Sequence, residues 1–207
     1  MSKERAFVAN PHEVKSILAG KQTQFRRIVK PQTRTELQPK GEHFGFLNNG
    51  DGTFTERVTI GDFSGAPHLG ERFKCPYGQV GDRLWVREKH AVWHQDAWIE
   101  GGVTISPPER GVYYWADQGA IFQVGRWLQA VNMPRWASRI LLEVESVRVE
   151  RLQDISDDDA FSEGMVLAEN YRGPIAHYAA LWDSINGLGS WNKNPWVWVV
   201  EFKRIKP

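Results

Sequence analysis

The chain has 207 residues, of which 41% are hydrophobic and 25% are charged, and its formal net charge is +1. This composition supplies a core and excludes wholesale disorder, while the small net charge excludes a global field that would draw the protein onto nucleic acid. The single cysteine, Cys75, excludes an internal disulfide and a cysteine-based zinc site. We expect a cytoplasmic protein without membrane contact, because the chain has no apolar signal core and no apolar run near the ~20 residues of a membrane span.

The segment from Asn10 to Gly20 predicts one short amphipathic helix, preceded by a strand at residues 6–9. Asn10 is a favourable N-cap, Pro11 suits the first helical position, and Glu13 stands where a capping box requires it. Gly20 is expected to end the helix, since glycine adopts the left-handed C′ conformation without steric cost. The apolar residues that recur at helical spacing are Val14, Ile17 and Leu18.

A dense set of hydrogen-bonding side chains follows this helix directly. Its members are Lys21, Gln22, Thr23, Gln24, Arg26 and Arg27. A glutamine can read a base edge because it offers a donor and an acceptor, and an arginine can grip a phosphate bidentately. We therefore expect Gln22, Arg26 and Arg27 to bind a ligand in a cleft beside the helix. The alternative is a solvated basic turn.

The next part of the chain, at about residues 32–80, is interpreted as a loop-rich excursion from a single domain that spans residues 1–207. Gln32 to Gly70 is rich in Gly, Pro, Asn and Thr, and it has too few aliphatic residues to bury a core of its own. The turn sequence Asn49–Gly52 favours a hairpin within this excursion.

Four later segments carry strand patterns. They are Arg83–Arg87, Gly111–Trp115, Arg139–Leu152 and Trp196–Ile205. The apolar phase of the third segment slips at Ser146, which predicts a bulge. We expect the first, third and fourth segments to pair in one barrel-like sheet, with the helix after Asn10 packed against it.

Two further helices are predicted late in the chain. Ser156 caps the first, with Asp157–Asp159 in its positive first turn, and Gly164 ends it. Pro174 opens the second and Asn186–Gly187 closes it. The residues that share one face of this last helix are Tyr178, Leu181, Trp182 and Ile185. Strands interleaved with a few short capped helices and long loops predict an α+β barrel.

Aromatic and basic residues outside the first segment are further candidates for nucleic-acid contact. The tryptophans that could stack on a flipped or single-stranded base are Trp85, Trp93 and Trp136. Arg87 and Arg135 could hold phosphates. The alternative places the tryptophans in a barrel core and pairs Arg87 with its neighbour Glu88.

The sequence favours neither a metal site nor a cofactor. His90 and His94 stand four residues apart but have no carboxylate pair at matching spacing. Asp157–Asp159 is explained by the first turn of a helix, and the chain carries no glycine-rich phosphate loop. We therefore expect no metal and no cofactor.

ILAGKQTQFRR, at residues 17–27, resembles the ASCH family, a PUA-like group whose signature is a Gly-x-Lys turn followed by arginine. Three later stretches are similar to phage and prophage members of that family, namely CPYGQVGDRLWVRE, the stretch from residue 132 to 156 and WDSINGLGSWNKNPWVWVVEF. The resemblance implies a PUA-like β-barrel with short helices around it. It also implies a ligand cleft beside the first helix and, in Arg27, the arginine of the signature. The activities of the family are diverse, so the resemblance predicts the fold of this chain better than its function.

Some ASCH relatives are amidohydrolases that remove the acetyl group of N4-acetylcytidine, and others are ribonucleases. The resemblance implies a catalytic Lys, Thr and Glu, whose positions fall here on Gln22, Phe25 and Glu163. Lys21 and Thr23 lie one and two residues from the required positions, so the trio is broken unless a local bulge restores it. We expect little or no deacetylation.

These observations lead to one preferred hypothesis and two alternatives. The preferred hypothesis is a phage-type ASCH domain that binds RNA or a modified nucleoside, with DNA as a further partner to test. The first alternative is a nucleic-acid-directed hydrolase, either an amidohydrolase or a ribonuclease, that uses Lys21, Thr23 and Glu163. The second is an interaction protein of phage assembly or counter-defence.

Overall fold

The computed structural model describes residues 2–30, 42–60, 68–92, 111–118, 126–167 and 172–206, and within this part the fold is mixed α+β. The strands are β1 (Glu4–Val8), β2 (Gln24–Ile28), β3 (Glu42–Asn48), β4 (Thr53–Ile60), β5 (His68–Lys74), β6 (Arg83–Arg87), β7 (His90–Val92), β8 (Val112–Tyr114), β9 (Leu141–Arg151) and β10 (Trp196–Ile205). The helices are α1 (Pro11–Leu18), α2 (Trp115–Gln118), α3 (Asp157–Ser162) and α4 (Pro174–Asn186). Single 3-10 turns occupy Ala130–Asn132, Arg135–Ala137 and Leu152–Asp154.

The main sheet has five strands in the order β1-β6-β9-β10-β2. β1 runs parallel to β6, and the other neighbours are antiparallel. The predicted pairing of β6, β9 and β10 in one sheet is therefore confirmed. β10 is buried over its first five residues, as expected of an interior strand with two apolar faces.

The described residues do not form the closed barrel that the sequence analysis expected. No backbone ladder among them joins β1 to β2, which are the two edges of the sheet. The sheet curls so far that rings from the two edges touch, because Phe7 of β1 stacks on Phe25 of β2 with 4.3 Å between ring centroids. Side chains close this gap in place of hydrogen bonds between strands.

The bend in β9 has the predicted cause. Glu201 pairs with Ser146, but the next residue of β10, Phe202, pairs with Val144. Glu145 is therefore an extra residue in β9, and this bulge confirms the slip in apolar phase at Ser146. A bulge increases the local twist, which helps a long strand to curl.

The excursion contributes a second sheet of three strands, in the order β3-β4-β5. The hairpin predicted at Asn49–Gly52 joins β3 to β4 and is confirmed. The aromatic residues of this sheet pack on Trp196 and Trp198 of β10, with centroid distances of 4.9 Å for Phe46–Trp196 and 4.9 Å for Phe54–Trp198. The assignment of the chain to a single domain stays a prediction.

The helix boundaries follow the predicted caps. The side chain of Asn10 accepts from the Glu13 N–H, and the Glu13 carboxylate accepts from the Asn10 N–H, each at 2.9 Å. α3 has the same reciprocal cap between Ser156 and Asp159, and α4 starts at Pro174 as predicted. None of the described helices is long and apolar enough to cross a membrane. The residues that pack α1 on the sheet are Val14, Ile17 and, partly buried, Leu18.

The strand alternation of β2 directs its odd and even residues to different environments. Phe25 is fully buried, and its ring contacts those of Phe7, Tyr77 at 5.1 Å and Phe202 at 5.9 Å. The resemblance to the amidohydrolases assigned the catalytic threonine to this position. In the structure, this residue belongs to the aromatic core.

We predict that Phe25→Thr lowers the free energy of unfolding by about 3–5 kcal/mol, because it removes a ring from a close-packed cluster and leaves a cavity. Urea unfolding followed by tryptophan fluorescence measures the change. Thr23→Ala, at an exposed position two residues away, is the control and should change stability by less than about 0.5 kcal/mol. Equal small effects of the two variants would contradict this account of the core.

Candidate functional site

A cavity of about 280 Å³ lies at the gap between the two edges of the main sheet. Both edges contribute to it, and α1 and α4 form its other walls. The apolar residues that line it are Val8, Ala9, Ile28, Tyr178, Leu181, Trp182 and Ile185. The polar residues that line it are Asn10, His12, Glu13, Gln22, Arg26, Arg27, Glu163 and Asn186.

Backbone contacts bring the end of α1, the start of β2 and the end of α3 together beside this cavity. Gln22 and Glu163 form an isolated antiparallel bridge, and the Thr23 N–H donates to the Ser162 carbonyl at 2.9 Å. Gly164 permits this approach, because its φ is +85° and a Cβ there would stand 2.9 Å from the side chain of Ser16. The predicted C-terminal glycine of α3 therefore also sets the position of Glu163.

Arg26 is the electrostatic centre of the site. Its side chain is fully buried, and it donates to Glu163 Oε1 at 2.9 Å, to Asp159 Oδ2 at 3.0 Å and to Glu150. Burial opposes the guanidinium charge, but Glu163 and the other carboxylates outweigh it, so the pKa of Arg26 is raised. Arg148 extends the network through hydrogen bonds to Glu150 and Asp159. Arg26 thus holds strands and α3 together beside the cavity.

Glu163 is buried and titrates near neutrality. Burial raises the pKa of its carboxyl to about 7, against the opposing attraction of Arg26. Arg26 and, more weakly, Gln24 at 3.4 Å both donate to Oε1. Among the hydrogen bonds of the described residues, none ends on Oε2. This carboxyl can therefore present either a donor or an acceptor close to pH 7.

Four buried polar atoms of cavity-lining residues have no hydrogen-bond partner in the described part of the chain. They are Gln22 Oε1, Trp182 Nε1, His12 Nδ1 and Arg26 Nε. Gln22 and Trp182 are only 4% and 5% exposed, respectively. The amide nitrogen of Gln22 donates to the Gln24 carbonyl at 2.9 Å, which fixes the amide. Burial lowers the pKa of His12, which favours the neutral form of its ring. Buried polar groups without partners are costly, which makes the cavity a candidate binding site.

Arg27 lies at the rim of the cavity in a fixed position. It donates to both carboxylate oxygens of Glu13, at 2.8 and 3.0 Å, and its guanidinium lies over the rings of Phe7 and Phe25. Burial opposes its charge, but Glu13 keeps its pKa above the ordinary value. The capping residue of α1 thus also orients Arg27.

The structure brings together only some of the residues that the sequence analysis selected. Gln22, Arg26, Arg27 and Glu163 all line the cavity. Lys21 and Thr23 are exposed and do not line it, because they alternate with the inward-facing Gln22. The catalytic roles assigned to Lys21, Thr23 and Glu163 stay predictions.

The other selected residues lie on a different surface. Arg87 and Arg135 both lie over the ring of Trp85, at 4.5 and 6.0 Å, and Trp136 is 60% exposed. Trp93 lies outside the described residues. The alternative pairing of Arg87 with Glu88 is wrong, because neighbouring strand residues face opposite ways. Glu88 is buried and accepts from Arg139 at 2.9 and 3.0 Å instead.

Sequence reasoning missed several residues of the site. The sequence pattern indicates only a helix cap for Glu13 and only a charge in the first helical turn for Asp159. In the structure, Asp159 also pairs with Arg26 and Glu13 with Arg27. The shared helical face of Tyr178 and Trp182 was recognised, but helical spacing does not show what that face covers. Identifying these roles required the packing of α1, α3 and α4 around β2.

No group of three or more His, Cys, Asp or Glu side chains arranged for a metal ion occurs among the described residues. His90 is buried, with its Nδ1 at 3.1 Å from the Glu88 carbonyl, and His94 lies outside the described part. The cavity can be understood from its own side chains.

Comparison of the chain with protein-family models, with curated proteins and with solved structures found no match.

We predict that the raised pKa of Glu163 makes stability fall with pH. A carboxyl that binds its proton more tightly in the folded chain stabilises it fully below the ordinary pKa of 4.5, and that contribution is lost as pH rises through about 7. Relative to Glu163→Gln, which stays neutral, the wild-type free energy of unfolding should fall by up to roughly 3 kcal/mol between pH 4.5 and pH 8.

Urea unfolding of both proteins at several pH values in this range measures the two free energies of unfolding. The difference between them is free of contributions from groups that titrate equally in both proteins. Glu145→Gln, at an exposed position of β9, is the control and should track the wild type. A constant difference between wild type and Glu163→Gln would show that the pKa of Glu163 is the same in the folded and unfolded chain.

Proposed function

We propose that this protein binds a nucleoside, with the base held in the cavity between β1, β2, α1 and α4. The observation that carries the proposal is the set of buried, unpaired polar atoms on Gln22 and Trp182 beside a carboxyl that titrates near pH 7. These groups offer an acceptor, a donor and a group that can serve as either. A base edge presents the same mixture of donors and acceptors.

The size and walls of the cavity suit a small planar ring system. Its volume of about 280 Å³ falls just below the ~300–1,000 Å³ range of pockets for drug-sized ligands. Tyr178, Leu181 and Trp182 of α4 form one apolar wall, and Val8 and Ile28 line the cavity from the edges of the sheet. An aromatic ring between such walls gains hydrophobic and stacking energy without regard to base identity.

The resemblance to the ASCH family supports the same proposal. It associates a cleft beside the first helix with nucleosides and RNA, and the cavity lies beside α1. The finer assignments, namely a PUA-like barrel, a phage-type ASCH protein, RNA as the partner and a cytoplasmic location, are part of this proposal. The curled five-stranded sheet and the contact of its edges through Phe7 and Phe25 are compatible with a barrel-like ancestor of the fold.

A hydrolase that acts on a modified nucleoside is the second candidate, favoured by the pKa of Glu163. A carboxyl with a pKa near 7 can carry protons at neutral pH. The described residues that line the cavity include no Ser, Thr, Cys or Lys to act as nucleophile. In this candidate mechanism, water is the nucleophile and Glu163 is its base. The binding function is preferred because it needs no further group.

We predict that a nucleoside raises the melting temperature of the protein in a panel of cytidine, uridine, N4-acetylcytidine, adenosine and guanosine. Trp182→Phe removes the indole N–H donor but keeps an aromatic ring, and it should lower the affinity for the best ligand about fivefold or more, since one hydrogen bond contributes about 1 kcal/mol. Gln22→Met should lower the affinity for this nucleoside at least as much. Trp127→Phe, which changes a tryptophan packed on Trp115 outside the cavity, is the matched control.

Affinities follow from the shift in melting temperature as a function of nucleoside concentration. If no nucleoside in the panel shifts the melting temperature, the proposal is wrong and the interaction-protein hypothesis gains weight. If Trp127→Phe lowers the affinity as much as Trp182→Phe does, the nucleoside does not bind in the cavity.

The hydrolase candidate is tested by incubating N4-acetylcytidine with wild type and Glu163→Gln and measuring cytidine by chromatography. We expect no turnover by either protein, because no Ser, Thr, Cys or Lys is among the described residues that line the cavity. Wild-type turnover that is lost in Glu163→Gln and retained in Lys21→Ala would establish a water-dependent hydrolase. Loss in both variants would instead support the displaced trio of Lys21, Thr23 and Glu163.

A further inference from the structure

The outward face of β6 carries a row of cations and a tryptophan. The inward residues of this segment are almost fully buried, at 0% exposure for Leu84, 1% for Val86, 2% for Glu88 and 0% for His90. The residues that alternate with them are Arg83, Trp85, Arg87 and Lys89. Because alternate residues of an extended strand are about 6.6 Å apart, this row extends over roughly 20 Å. We refer to these four residues as the β6 row.

Aromatic rings are interleaved with the cations of the β6 row. Arg87 lies over Trp85 at 4.5 Å, and Lys89 lies over Trp115 at 3.6 Å. The neighbouring 3-10 turns add two exposed apolar side chains, because Trp136 and Val131 are each 60% exposed. An exposed tryptophan of this extent is uncommon at a surface that only faces water.

Two cations of the β6 row, Arg87 and Lys89, form no ion pair within 4.0 Å in the described part of the chain. Arg83 forms no ion pair at that distance either, but its strand partners Glu4 and Glu143 flank it and interact with it at longer range. Glu4 is already bound by Arg135, at 2.7 and 3.1 Å. Arg87 donates to the Val131 carbonyl at 3.1 Å, which holds it in place without neutralising its charge. The protein thus concentrates positive charge locally despite a net charge of +1.

The β6 row is continuous with the cavity. In the parallel pair of β1 and β6, Val8 is the partner of Arg87, and the Ala9 N–H donates to the Arg87 carbonyl at 3.0 Å. Val8 and Ala9 both line the cavity. One strand width therefore separates the cavity from the nearest cation of the row.

We propose that the β6 row, together with Trp136, is a track for single-stranded nucleic acid whose nucleotides lie next to the nucleoside held in the cavity. This inference rests on the proposed function for the identity of the cavity ligand. Cations at regular spacing that form no direct ion pair suit a phosphate backbone, and the exposed indole of Trp136 suits an unstacked base. An acidic peptide would use the cations but not the aromatic faces, and a duplex keeps its bases turned inward. The natural ligand is then a nucleotide within a strand.

The test is fluorescence anisotropy with a labelled single-stranded RNA of about ten nucleotides, within the usual site size of such proteins, over a series of salt concentrations. Trp136→Ala should weaken binding about fivefold or more, as expected for loss of one stacking contact. Arg87→Ala should reduce the slope of log affinity against log salt by about 0.7, because one phosphate contact is lost. DNA of the same sequence distinguishes recognition of RNA from recognition of any single strand.

Matched controls lie outside the track. Leu188→Ala changes another exposed apolar residue, at 97% exposure, and Lys193→Ala removes one exposed cation. Neither control should alter the affinity by more than about twofold or change the salt slope, as is usual for surface substitutions away from a contact. Absence of binding by both RNA and DNA, or equal effects of the controls and the track variants, would overturn the proposal.

The two proposals fail in different ways. Trp136→Ala and Arg87→Ala should leave unchanged the melting-temperature shift that free nucleoside causes. Trp182→Phe should lower the affinity for both the nucleoside and the oligonucleotide. If free nucleoside binds but the track variants bind RNA normally, the track is wrong and the cavity stands. If the track variants lose RNA but no free nucleoside binds, the cavity proposal is wrong and the track stands.

Discussion

The buried ion pair between Arg26 and Glu163 is the interaction on which the rest of the site depends. A fully buried guanidinium must be paired, since a buried charge left alone costs several kcal/mol. Arg26 meets this requirement by drawing Glu163 and Asp159 from the region of α3 and Glu150 from β9 onto β2. These contacts join residues more than 120 positions apart, and they fix the floor of the cavity.

The unclosed sheet explains why a cavity exists at this place. In a closed barrel, β1 and β2 would exchange backbone hydrogen bonds and their side chains would fill the interior. Here the two edges touch only through side chains such as Phe7 and Phe25, and α1 and α4 cover the space that remains. An edge left unpaired in a sheet usually needs protection, and the two helices supply it. The opening left between edges and helices is available for a ligand.

The two arginines of β2 have different roles, because their carboxylate partners hold them at different places in the site. Arg26 is enclosed by carboxylates, so it organises the site from below, while Arg27 is held at the rim by Glu13. Glu163 is left with a pKa near 7 because its burial is only partly offset by Arg26. The site can thus change the hydrogen-bonding character of one group close to neutral pH, while its arginines remain charged.

The sequence by itself determined the features that depend on neighbours along the chain. The capping box of Asn10 and Glu13, the hairpin at Asn49–Gly52 and the bulge beside Ser146 were all predicted and are all present. Each depends on residues within a few positions, so a local pattern specifies the backbone geometry. The pairing of β6, β9 and β10 was predictable as well, because their alternating or doubly apolar patterns require a common core.

Only the tertiary structure decided the environment of the site. Arg26 was expected to bind a ligand, which stays a prediction, and the structure shows that its buried side chain is paired with three carboxylates. Phe25 belongs to the aromatic core. Both outcomes depend on which residues meet across long separations, such as the 137 positions between Arg26 and Glu163. Burial and pKa follow from those contacts and from the gap between β1 and β2. No pattern along the chain encodes them, because strand register and helix packing are set by the whole core at once.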